Sequence, residues 1–187
     1  YDLLSAFQKS IRGSDPDAGV FYLAKLLEGG DLFSPIRRLL VIACEDIGLA
    51  YPTAISVVKA CCDSAVQLGL PEARIPLAEA VIFLCTCPKS NSAINAIDEA
   101  MEDVKLGKGV QIPTHLLDSH YEGSKELGHG TNYVYPHSYK NHYIYQQYLY
   151  KFYLNLNCSK YLAKKDNHRY MKIEYFFQLN QIAKIQQ

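Results

Sequence analysis

Between Asp15 and Gly107 proline recurs in the first turn of apolar-periodic runs and glycine just past their ends, and this punctuation constrains the chain more than any other feature. Proline fits a helix start because the amide hydrogen it lacks would have no partner there. Glycine fits a helix stop because it enters the left-handed region without steric cost. Asp15-Pro16 opens a run with Val20, Phe21, Ala24 and Leu27 on one face, stopped at Gly29-Gly30. Ser34-Pro35 opens the next, carrying Ile36, Leu39, Leu40, Ala43 and Ile47 to Gly48. A third begins near Pro52-Thr53 with Ile55, Val58, Cys62 and Ala65, and ends at Gly69. A fourth covers about Glu72 to Cys87, and Ser90 caps a fifth with Ile94, Ile97, Met101 and Val104 before Gly107. An earlier run, with Leu3, Leu4, Phe7 and Ile11, starts at Tyr1 with no initiator Met and no capping residue, as in a piece of a longer protein.

Helix starts recur every 18 or 19 residues, and the short links force neighbours to fold back on one another. The expected fold is all-α, an up-and-down array over residues 1–108 followed by a second region, residues 109–187. There the character changes: Pro113, Pro136, Gly128 and Gly130 interrupt any helical period, and ten tyrosines lie between Tyr121 and Tyr161. A loop-rich segment so full of phenol rings is expected to pack over the array, with a last amphipathic helix from about Arg169 to Ile185.

The formal net charge is zero, but the average conceals a gradient. Residues 1–110 hold 10 Lys+Arg against 14 Asp+Glu, and residues 111–187 hold 9 against 5. A surface wholly shaped for a polyanion is thereby excluded. Cys44, Cys61, Cys62, Cys85 and Cys87 fall at or beside apolar positions of helical runs, which reads as reduced thiols packing as small hydrophobes. No secretory signal or membrane-length apolar run is visible, so an intracellular, cytoplasmic protein is expected with no membrane partner.

Catalytic patterns are missing. Gly107-Lys108-Gly109 lacks the spacing and the Ser/Thr of a phosphate loop and reads as a helix stop with a solvated lysine. Cys85-x-Cys87 and the scattered His115, His120, His129, His137 and His142 do not have metal-ligand spacing, and no nucleophile elbow occurs. Neither a catalytic residue nor a cofactor or metal site is expected in this chain.

The residues that stand out have structural readings. Glu45-Asp46 puts two carboxylates at a helix C-terminus, where the dipole disfavours them, so a cation should compensate, with Arg37 or Arg38 as candidates. Asp15 can cap the helix after it, and Arg12 can reach a carboxylate or a phosphate. Lys89-Ser90-Asn91 forms a second polar link of the same kind, and either link could instead touch another subunit or DNA. In the tail, Lys160, Lys164 and Lys165 lie among tyrosines, the composition of a surface on which cations track phosphates and rings stack bases.

Four stretches in order carry a resemblance. They are Tyr1-Asp2-Leu3-Leu4-Ser5-Ala6-Phe7-Gln8-Lys9-Ser10-Ile11-Arg12-Gly13-Ser14-Asp15-Pro16-Asp17-Ala18; Arg37-Arg38-Leu39 with Glu45-Asp46-Ile47-Gly48-Leu49-Ala50; Pro88-Lys89-Ser90-Asn91; and Lys125-Glu126-Leu127-Gly128 with Tyr135-Pro136-His137 and Gln146-Gln147-Tyr148-Leu149. Together they resemble the region after the ATPase core in the replication-associated recombination protein A family, which includes maintenance-of-genome-stability ATPases and the Werner-helicase-interacting protein. The resemblance covers residues 1 to about 150. Beyond it, Tyr150-Lys151-Phe152 stands where the family has a Pro-Asp segment. It implies a clamp-loader-collar-like helical domain that holds a AAA+ ATPase as a homo-tetramer in replication-fork maintenance and recombination. ATP and magnesium would belong to an ATPase domain missing from this chain; DNA and fork proteins would be partners of the parent, which would sit at the nucleoid. A DNA-binding module using the basic, Tyr-rich tail is the alternative.

Overall fold

Leu3, Leu4, Phe7 and Ile11 recur at helical spacing, and α1 (Asp2–Arg12) forms over them with Phe7 and Ile11 buried. The computed structural model describes residues 1–109, 111–124 and 126–150. Five more helices follow: α2 (Pro16–Glu28), α3 (Phe33–Ile42), α4 (Ala54–Leu68), α5 (Arg74–Thr86) and α6 (Ser92–Lys105). No strand occurs among the described residues, and the fold is all-α. Asp15 caps α2, its carboxylate accepting from the Ala18 amide at 3.0 Å, and Pro16 takes the first turn. The start of α3 is set by Asp31, whose side chain accepts from Ser34 N at 2.9 Å. These hydrogen bonds with Ser34 hold the Asp31 carboxyl below the usual carboxylate range.

The described residues divide into two compact units, one over Tyr1–Ala96 and one beginning at Ile97. In the first, α1 packs on α2 and α4 on α5 across their short links, and α2 also lies against α5. Helix α5 touches α1, α2, α3 and α4. That central place explains its composition: from Ile75 to Cys85 only Glu79 is charged, and a helix enclosed on several sides cannot carry a broad polar face. Leu77, Ala80, Val81, Leu84 and Cys85 are buried against Ile11, Leu23, Leu39, Ile42 and Val58. Gly19 permits the α2–α5 approach, since a Cβ there would lie 2.9 Å from Val81 Cγ1 and 3.5 Å from Ile11 Cγ1.

Four of the cysteines join this core, and burial pushes the Cys61, Cys62, Cys85 and Cys87 thiols up, Cys62 to about 11. Thiols so disfavoured as thiolates are poor nucleophiles. Cys44 departs from the expectation of a packed small hydrophobe: it is exposed. The reason lies in the next turn, where α3 passes into a π-helix over Ala43–Ile47. Its wider register rotates the side chains, burying Ala43, Asp46 and Ile47 while Cys44 faces outward.

In the second unit α6 ends through a contact that the sequence reading missed. Lys108 is not a solvated lysine; its Nζ lies 2.9 Å from Oδ1 of Asp103, whose side chain is 2% exposed. Further along, the side-chain amide of Gln146 accepts from Val134 N at 3.3 Å and donates to Val134 O at 2.8 Å, pairing with both backbone groups as a strand would. Short 3₁₀ turns at Thr114–Leu116, Pro136–Ser138 and Lys140–His142 connect the rest. The tyrosines were expected to be packed, yet the eight from Tyr121 to Tyr150 keep 37 to 65% of their surface exposed. The expected terminal helix and Lys160, Lys164 and Lys165 lie outside the described residues.

Candidate functional site

Five of the residues singled out in the sequence meet at one cleft of about 390 Å³: Arg12, Glu45, Asp46, Lys89 and Asn91. Arg12 closes α1, Glu45 and Asp46 sit in the π-turn, and Lys89 and Asn91 belong to the link between α5 and α6. The turn and the link are joined by a backbone hydrogen bond from Ser90 N to Asp46 O, 2.8 Å long. Gly48, with φ +46°, makes this approach possible: a Cβ there would meet Ser90 O at 3.2 Å in a conformation that L side chains rarely adopt.

The carboxylates are compensated, but not by the cation the sequence suggested. Arg12 donates from Nε to Asp46 Oδ1 at 2.5 Å and from Nη2 to Glu45 Oε1 at 2.9 Å, so one guanidinium bridges both acids. In a regular α-helix adjacent side chains diverge by about 100°. The π-turn presents both to the same fork. Arg38 reaches the pair only indirectly: its Nη1 donates to Gln8 Oε1 at 2.9 Å, and Gln8 Nε2 donates to Glu45 Oε2 at 3.3 Å. Arg37 is exposed and its charge acts on Asp31 instead. Gln8 was legible in principle, since it lies four residues before Arg12 and therefore shares its face of α1.

The hydrogen bond with Asp46 raises the Arg12 pKa further above its ordinary value, so the guanidinium stays charged. Asp46 is 6% exposed, and its Oδ2 is buried without a hydrogen-bond partner. The guanidinium shared by the two carboxylates clamps α1 to the π-turn.

Lys89 is equally committed. Its Nζ donates to the carbonyls of Leu84, Cys85 and Cys87 at 3.0, 3.2 and 2.8 Å, and to Ser14 Oγ at 2.9 Å. It therefore caps the C-terminus of α5, where a cation is favoured by the dipole, and ties that end to the α1–α2 link. Ser90 Oγ accepts from Ser92 N at 3.4 Å at the start of α6, and Asn91 supplies the carbonyl that receives Asn95 N at 3.1 Å. Asp15 stands apart from the cleft as the cap of α2. The cleft is lined by no histidine or cysteine, and no group of three or more metal-ligating side chains occurs among the described residues. No helix among the described residues is long and apolar enough to cross a membrane.

Comparison with known proteins matches residues 13–180 to the family model described as MgsA AAA+ ATPase C terminal. The chain is 61% identical over 149 residues to the replication-associated recombination protein A of Bacillus subtilis (strain 168), covering 80% of this chain and 35% of that protein. It is 38% identical over 144 residues to the protein of the same name from Escherichia coli (strain K12), covering 76% and 32%. To the ATPase WRNIP1 of Dictyostelium discoideum it is 31% identical over 140 residues, covering 74% and 16%. The chain thus spans about a third of the length of the bacterial relatives it matches.

Proposed function

The chain belongs to the family of MgsA-type AAA+ ATPase C-terminal regions, and from that premise we propose that it is an oligomerisation domain, the part that assembles a replication-associated recombination ATPase into a homo-tetramer. The observation that carries this reading is the apolar surface left on the outer sides of α4 and α5. Val66 and Leu68 are 50 and 56% exposed, and Ile75 and Ile82, seven residues apart and so on one face of α5, are 59 and 48% exposed. Large apolar side chains grouped on adjacent helices mark a surface that another protein covers. The clamp at Arg12 and the cap at Lys89 then serve to hold the helix ends rigid.

On this reading the chain performs no chemistry of its own. ATP and magnesium act in the ATPase domain of the parent, whose partners are DNA and replication-fork proteins at the nucleoid in the cytoplasm. The test is solution mass by light scattering across a concentration series, followed by DNA titration on the same sample. A homo-tetramer that does not bind DNA is the expected result; a monomer at all concentrations overturns the reading. If DNA binds, neutralising Lys160, Lys164 and Lys165 together identifies the tail as its source. Each phosphate that is no longer neutralised should lower the logarithmic salt slope by about 0.7 on single strands.

A further inference from the structure

We draw no further inference here: the strongest candidate, the cleft between the π-turn and the α5–α6 link, belongs to the site already described, and the buried Asp46 Oδ2, which lacks a hydrogen-bond partner, is too enclosed for a ligand to touch.

Discussion

At the scale of single residues, the two carboxylates of the π-turn are unequal. Asp46 is 6% exposed and Glu45 31%, although both share the Arg12 guanidinium. Replacing Arg12 by Met removes the charge opposite a buried carboxylate, and half of Arg12 is itself in solvent, so a loss of about 2 kcal/mol is expected in chemical denaturation. Asp46→Asn should cost more than Glu45→Gln, which weakens only a largely solvated ion pair and is expected to cost under about 1 kcal/mol. Equal effects from the two amides would contradict this ordering. Asp31 offers a pH-dependent case. Its folded carboxyl is depressed by hydrogen bonds with Ser34, so its contribution is complete above the unfolded value near ~3.9 and is lost as pH falls through the folded value. Asp31→Ala should therefore cost about 1 kcal/mol at neutral pH, and the gap in melting temperature from the parent should close on acidification below about pH 4.

At the scale of elements, the contact between α2 and α5 turns on Gly19. Glycine inside a helix ordinarily weakens it by about 1 kcal/mol relative to alanine. Here a methyl would press on Val81, which is fully buried in the centre of α5 and has no room to retreat. Gly19→Ala should thus destabilise the chain by about 1 to 2 kcal/mol net, the overpacking outweighing the gain in propensity. Adding Val81→Ala should recover part of that loss, a coupling that a double-mutant cycle by chemical denaturation would measure. The bounds of α2, α4, α5 and α6 agree with their punctuation to within two residues, since proline, aspartate and glycine act through the few backbone groups beside them, and the run after Pro35 reaches Gly48 only by way of the π-turn.

At the scale of the whole molecule, apolar surface is distributed in two ways. The inner faces of α1 to α5 close on one core, while Val66, Leu68, Ile75 and Ile82 stay open on its outside. Ile82→Asp should leave helix content near that of the parent, because the side chain is 48% exposed, while lowering the mass measured by light scattering. A variant that keeps the parental mass would remove this face from the assembly.

Much of this protein was legible in its sequence because the signals are local. A capping aspartate at Asp15, a proline at Pro16 and a glycine at Gly29 act on adjacent peptide groups, so they mark a helix wherever it later packs. The set of notable site residues was legible for a related reason: Arg12, Glu45, Asp46, Lys89 and Asn91 all stand at helix ends, where polar groups must be satisfied. Their partners were not. That Arg12 and not Arg37 or Arg38 answers the two acids depends on the register of a π-turn and on the crossing of α1 over it, and neither leaves a local mark. Nor could periodicity tell which apolar stripes would be covered. The α5 run and the α6 stripe are both apolar, yet α5 meets four helices while Ile97, Met101 and Val104 stay exposed, because burial is a property of what packs against a face and only the tertiary arrangement decides that.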